Sequence, residues 1–418
     1  MLTVLLVLLF LGILIAVHEF GHFIACRVQH IGVEEFSIGF GPRIITFEDK
    51  EGTKYSLSII PFGGYVKIKG EEKSDNPAPY DFWVQPFYKK ILVVISGPIF
   101  NLILALVAFV IGYSLVGYET IPLYRIYRVE NAGVPFQEGD SIIAIDGRYI
   151  NTIEDLYYYF SKRDKHLLLV ERNDERLAIE LSGRNFDSLK VTFLIPPVVN
   201  RVEKGSPAHK IGLKKGDRII RFNNTPVLLW QELVDSIRNY PGKEIKLVVE
   251  RGSDTLEFLL TPEIQVTPDN EKIGRIGITA LSLKKRLNIF EAVKVSVTRS
   301  IEITWIYIVY LLRLFRGKVP ISNLGGPIMI GKVIYTASSY GLFQLLYLLG
   351  LISINLFIIN LIPLPALDGW HFLVYLIEGI TKRELSPEIK RIVQLIGFTL
   401  LLILMVVIAF FDILRIVR

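Results

Sequence analysis

Residues 1–26 read MLTVLLVLLFLGILIAVHEFGHFIAC, an apolar run with no ionisable group before His18. A helix of roughly 20 apolar residues crosses ~30 Å of hydrocarbon, so this run is long enough to be a span. Three ionisable groups sit near its end: His18, Glu19 and His22. Positions i and i+4 of a helix share one face a turn apart, which lets both imidazoles reach one ion. Glu19 is adjacent in the same turn, where a carboxylate can take a proton from water beside a metal. In a soluble helix two packed core histidines would explain the spacing. In an apolar helix each ionisable group costs on the order of a few kcal/mol, which argues against an unselected triplet. The run lacks a basic n-region and an A-x-A site follows nowhere near it, so it reads as a span and not as a cleaved leader.

Three further stretches qualify as spans. Ile91 to Tyr118 has no charge at all, and Ile392 to Phe411 is framed by Arg391 and Asp412. Val333 to Leu367 gives 35 uncharged residues, too many for one straight span, so its crossing is placed at about Leu342 to Leu361, after Gly341. Ile303 to Leu312 is only ten residues between Glu302 and Arg313, a length that suits an interfacial or amphipathic helix. The expected fold is an α-helical polytopic membrane protein with about four transmembrane helices.

Composition agrees. Of 418 residues, 51% are hydrophobic and 21% charged, which excludes a disordered or fibrous chain. Cys26 is the single cysteine, which excludes an intramolecular disulfide and a cysteine-based zinc finger. The net charge of +6 is uneven: residues 118–262 hold 21 Lys+Arg and 21 Asp+Glu, so the excess flanks the apolar segments. A nucleic-acid binder would instead show a basic face in a soluble domain.

That neutral stretch is a tandem repeat. Gly139-Asp140-Ser-Ile142-Ile143-Ala-Ile-Asp146-Gly147 recurs 77 residues later as Gly216-Asp217-Arg-Ile219-Ile220-Arg-Phe-Asn223-Asn224. Glu154-Asp155-Leu156 matches Gln231-Glu232-Leu233, and Val170-Glu171-Arg172 matches Val249-Glu250-Arg251. Each unit reads as strand, tight turn, short helix, strand, and a period near 80 suits two compact domains. The pattern resembles PDZ domains of the bacterial protease-associated kind, with Gly274-Arg-Ile-Gly277-Ile278 as the peptide-binding loop of the second. Between the first two spans, Phe36 to Ile45, Lys54 to Ile60 and Tyr65 to Lys69 read as strands, with a turn at Asp49 to Gly52, giving a small membrane-associated β-sheet.

Two histidines leave zinc short of ligands, since catalytic zinc usually has three from the protein plus water. Asp368 is the first charge after the 35-residue apolar stretch, and Pro363 and Pro365 break the helix before it. Broken backbone at membrane depth is tolerated where it lines a protein site. Alternatively, Asp368 only marks the interface and caps the next helix. With two spans before it, the third runs parallel to the first and brings Asp368 to the same side as His18 and His22. A fifth span would put it at the opposite leaflet.

These residues together resemble the site-2 protease family of intramembrane zinc metalloproteases, in its bacterial branch with tandem PDZ domains. The likeness covers nearly the whole chain. It rests on His18-Glu19-Phe20-Gly21-His22, Gly39-Phe40-Gly41, Pro61-Phe-Gly63-Gly64-Tyr65-Val66-Lys67, Ser96-Gly97-Pro98-Ile-Phe-Asn101, Gly325-Gly326-Pro327-Ile328 and Asn360-Leu-Ile-Pro363-Leu-Pro365-Ala-Leu-Asp368-Gly369. Trp370 departs from the small residue expected after Gly369. The resemblance implies Zn2+ held by His18, His22 and Asp368, with Glu19 as general base. It also implies the Gly39 to Ile45 loop, with Gly39, Phe40 and Gly41 as substrate-binding residues, as an edge that holds an unwound substrate by strand addition, and Asn360 as a polar contact to that peptide. Asn101 and Asn360 equally suit interhelical hydrogen bonding.

The expected domains are span one with HExxH (1–26), the β region (27–90), span two (91–117), PDZ-like domains at 118–195 and 196–281, an interfacial region (282–332), span three with the Asn-Pro-Pro-Asp motif (333–369) and span four (392–414). The expected function is hydrolysis within or near the transmembrane segments of single-span proteins, anti-sigma-factor-like substrates among them. Arg27, Lys89, Lys90, Lys382, Arg383, Lys390 and Arg391 outnumber Arg125, Arg128, Arg415 and Arg418 on the other side. That bias places the site towards the cytoplasm of an inner membrane and the PDZ pair outside it. A non-catalytic PDZ scaffold has no need of Glu19, and a metal transporter would want ionisable residues in spans two and four.

Overall fold

The computed structural model describes residues 2–71, 76–131, 133–266, 271–320 and 324–417, so Met1 and Arg418 of the first and last readings lie outside it. The chain forms two units, one from residues 1–117 with 286–418 and one from residues 118–285.

The first unit is built from helices α1 (Leu2–Val28), α2 (Phe87–Ile111), α3 (Ile289–Phe315), α4 (Pro327–Tyr340), α5 (Leu342–Asn360), α6 (Asp368–Thr381) and α7 (Pro387–Val417), with strands β1 (Val33–Glu48) and β2 (Lys54–Ile68). The Gln29 side chain bonds the Lys89 carbonyl at one end of the α1–α2 pair, while Leu104 packs with Phe10 and Leu14 further along, so these helices are antiparallel. Leu345 to Leu356 of α5 pack with Leu6 to Leu14 of α1, and Asp368 beyond α5 reaches His18, so α1 and α5 run parallel. Lipid tails are as apolar as leucine, so close packing and not burial holds such helices together. Phe109 accordingly packs with Ile354 and Ile358 on α5 and tilts against Tyr347, ring centroids 5.3 Å apart.

The sequence reading treated Glu302 and Arg313 as limits of a ten-residue segment, whereas α3 is one continuous helix of 27 residues capped by Asn288. Its charges Glu291, Lys294, Arg299 and Glu302 fall within one broad stripe at helical spacing, and the buried Ala292, Ser296, Ser300 and Ile303 line the face beside it. Among the described residues, five helices are long and apolar enough to cross a membrane, and α3 is the least apolar of them. The apolar stretch at 333–367 divides at Gly341 as expected, α4 before it and α5 after. Asp412, read as a mere boundary of the last span, is buried and accepts hydrogen bonds from the Gly326 and Met329 N–H groups at 3.1 and 3.0 Å. It thereby satisfies donors at the start of α4 that no helix carbonyl can reach.

The three expected strands of the β region merge into two long bent ones. Residues 33–38 of β1 pair with 64–68 of β2 on one side and with 54–57 on the other, and 43–48 pair with 54–58. Phe40, Ile44, Ile45, Phe47, Ile59 and Ile60 are exposed, an apolar patch of the kind that marks a membrane contact.

In the second unit the repeat is visible in the topology. Strands Arg148–Tyr149, Ser141–Ile145, Lys165–Arg172 and Glu175–Ser182 lie side by side, and Thr225–Pro226, Arg218–Phe222, Ile245–Arg251 and Asp254–Leu260 repeat that order. Each sheet covers its own core, one around Leu156 and Leu168, the other around Leu233 and Leu247. Arg172 forks onto Asp140 at 2.7 and 2.8 Å, and Arg251 does the same to Asp217. Ile276, singled out with the proposed peptide loop, is 2% exposed and part of the second core, so replacing it would test folding and not recognition.

Burial alone would push the Asp217 carboxyl up, but hydrogen bonds from Arg251 and the Lys214 N–H outweigh it and hold the group below the usual carboxylate range; Asp140 is lowered in the same way by Arg172 and the Gln137 N–H. A depressed folded-state value gives stability that is present above the ordinary carboxylate pKa of ~4 and lost as pH falls through the folded-state value. The thermal midpoint of this unit, followed by calorimetry on the solubilised chain, should therefore fall from about pH 5 downward. An Asp140→Asn/Asp217→Asn variant should show a flatter slope; an equal slope in both proteins would contradict the assignment.

Candidate metal centre

His18 and His22 lie on one face of α1 near its end, and Asp368 is the first residue of α6. An acid at a helix start is favoured by the free N–H groups there. The loop from α5 brings it in: Pro363 and Pro365 follow the helix, and Gly369 lies so close to the loop that a Cβ would be 2.4 Å from the Leu361 and Ile362 carbonyl oxygens.

His18 Nε2 lies 3.1 Å from Asp368 Oδ2 and 3.2 Å from His22 Nε2, and His22 Nε2 lies 3.7 Å from Asp368 Oδ2. Four ligands at about 2.05 Å from one zinc ion stand roughly 3.3 Å apart, so this triangle has the size of one face of such a site. Asp368 Oδ2 is buried without a hydrogen-bond donor. The His22 Nδ1–H donates to the Val93 carbonyl at 2.8 Å, which leaves its Nε2 lone pair facing the other two. Two imidazole nitrogens and a carboxylate oxygen, with a fourth position open, fit catalytic zinc. Among the described residues this is the metal-ligating cluster, and its ligand atoms lie within 4.8 Å of one another.

Space for the pair comes from α2. A Cβ on Gly97 would stand 2.3 Å from His22 Nε2 and 2.9 Å from His18 Cε1, so the imidazoles occupy the place of a side chain. The Glu19 Cγ borders Gly64, which places the start of the 64–66 segment of β2 beside it.

The first relatives this chain is similar to are a protein named "Putative zinc metalloprotease" from Vibrio cholerae, 32% identical over 97% of each chain, and "Protease RseP" from Yersinia pestis, 31% identical over 96% of each. "Regulator of sigma-E protease RseP" from Escherichia coli K12 is 30% identical, again over 96% of each. A solved PDZ domain of an SdrC-like protein from Listeria monocytogenes aligns with 22% of this chain and 90% of its own at 22% identity and a TM-score of 0.18. The model of peptidase family M50 matches residues 6–404.

The chain belongs to peptidase family M50.

It is a multi-pass membrane metallopeptidase of the site-2 type, and zinc is its cofactor. Within this peptidase, the sequence-derived residues divide into two groups. His18, His22 and Asp368 come together, with Glu19 in the same turn of α1. Gly39, Phe40 and Gly41 form a bend in β1 whose neighbours are Ser58, Ile60, Gly63 and Tyr65. Asn360 ends α5, partly buried, eight residues before Asp368. Gly97, the Val93 carbonyl and Asn101 were not assigned to the metal by sequence; only the Ser-Gly-Pro stretch quoted above pointed near them.

Proposed function

We propose that this peptidase hydrolyses peptide bonds within or near the membrane span of single-span proteins, with His18, His22 and Asp368 as zinc ligands and Glu19 as general base. The observation that carries this reading is the convergence of three ligand atoms at the ends of two parallel apolar helices. Held there, zinc would supply a Lewis acid for the scissile carbonyl and for the attacking water. Glu19 accepts the water proton and returns it to the leaving amine. A substrate helix hides its carbonyls in its own hydrogen bonds and must be unwound, and the bent sheet offers strand edges for the extended peptide, with the Gly39-Phe40-Gly41 bend and Asn360 as further contacts. Relatives named regulator of sigma-E protease favour an anti-sigma-factor-like substrate.

Four of the five apolar helices are assigned as crossings: α1, α2, α5 and α7. The Leu287 N–H bonds the Tyr113 carbonyl near the end of α2, and Gly326 is held at Asp412 near the end of α7. The starts of α3 and α4 thus lie on one side. A crossing by α3 would end on the side opposite the start of α4, and among the described residues no helix lies between them to carry the chain back. The basic flanks support a cytoplasmic active site and a PDZ-like pair, at 118–195 and 196–281, on the other side, where it selects trimmed substrates by excluding bulky ectodomains or by binding a new C-terminus.

The test is a set of tagged single-span proteins, each supplied with its folded ectodomain intact or removed, incubated with the purified peptidase. Cleavage should fall within the span, stop on chelation, return with zinc and favour the trimmed form. Cleavage confined to soluble loops, or unaffected by chelation, would overturn the reading.

A further inference from the structure

The geometry points to Asn101 as a positioning residue that fixes the tautomer of His18 and so aims its Nε2 lone pair at the metal. This rests on the zinc-ligand reading above and names a residue that reading does not use.

Asn101 lies on α2 and is fully buried. Its amide stands 3.1 Å from His18 Nδ1. A histidine that ligates through Nε2 must carry its proton on Nδ1, and that N–H needs an acceptor. His22 has one in the Val93 carbonyl. For His18 the group in that place is Asn101. As placed, the Asn101 Nδ2 faces Nδ1, while the Asn101 Oδ1 is buried without a partner. The oxygen and nitrogen of an amide are assigned from the hydrogen-bond network, not seen directly. Rotating this amide by 180° puts Oδ1 on the Nδ1–H, giving the orphaned acceptor a donor and His18 the tautomer that zinc requires. The same contact fixes the ring plane, since His18 has neighbours on both nitrogens: Asn101 on one, Asp368 and His22 on the other. A bond serving only to join helices would work equally well with the amide in either sense.

Two variants separate these roles. Asn101→Asp keeps an acceptor facing Nδ1, whereas Asn101→Leu keeps the approximate volume and removes it. The full-length solubilised protein is titrated with a zinc chelator to obtain its zinc affinity, and its histidine 15N resonances are recorded. Asn101→Leu should bind zinc 10- to 100-fold more weakly, and Asn101→Asp should restore affinity to within a few-fold of the unmodified chain. In the unmodified chain the His18 Nδ1 should carry the proton. That resonance needs no variant and decides the matter even if Asn101→Leu fails to fold. Unchanged zinc affinity in a folded Asn101→Leu, equal loss in Leu and Asp variants, or an unprotonated Nδ1 would each overturn the proposal. A chain whose zinc does not bind His18 at all would remove the ligand reading along with it; unchanged zinc with a raised KM in Asn101→Leu would make Asn101 a substrate contact and leave the ligand reading standing.

Discussion

Glu19→Gln should lower the cleavage rate by at least 10²- to 10⁴-fold while leaving bound zinc unchanged. The amide keeps the shape of the carboxylate, and Glu19 is not among the three groups whose atoms converge. The glutamine amide cannot accept the water proton, so only the chemical step suffers. Initial rates on a single-span substrate, with zinc measured on the same sample, separate the two effects. A rate within tenfold of the unmodified enzyme would remove Glu19 from its role, and a parallel loss of zinc would make it a ligand.

Gly97→Ala should cost nearly as much, by another route. The added methyl would stand 2.3 Å from His22 Nε2, where no carbon can sit, so α2 must retreat or the imidazoles must leave Asp368. Misplacing a catalytic group by about 1 Å can cost on the order of 10²-fold. Zinc affinity and activity should fall together, each by more than tenfold. Gly331→Ala is the control: its methyl would come no closer than 3.9 Å to Val7, so ordinary zinc binding is expected there. A Gly97→Ala protein with normal zinc affinity would show that the two helices are not packed as described.

These two residues differ in how far sequence could reach them. Glu19 was legible because a helix makes neighbours of residues 18, 19 and 22, and because an apolar run tolerates such groups only for a purpose. Asp368, the proposed third ligand, needed the direction of a later helix, and the apolar stretches supplied it. The repeated strand order within residues 118–285 was legible from a sequence repeat at an offset of 77, and an Asp–Arg pair recurs in both copies. Gly97 and Asn101 were not, because their importance depends on side chains 75 to 83 residues away across a helix crossing. The length of α3 escaped for another reason: its charges were read as ends, although on a helix they form one stripe. The burial of Ile276 was not legible, because a turn motif does not reveal which side chain faces the core.

The central claim is that His18, His22 and Asp368 hold one zinc ion at the ends of two membrane helices. X-ray absorption at the zinc edge of the purified, unmodified enzyme, repeated on Asp368→Asn, tests it most directly. The account predicts a first shell of nitrogen and oxygen at about 2.0–2.2 Å, two of the ligands being imidazoles, and a large loss of zinc in the variant. A sulfur ligand at about 2.3 Å, which only Cys26 or a methionine could supply, or full zinc occupancy with an unchanged shell in Asp368→Asn, would contradict it.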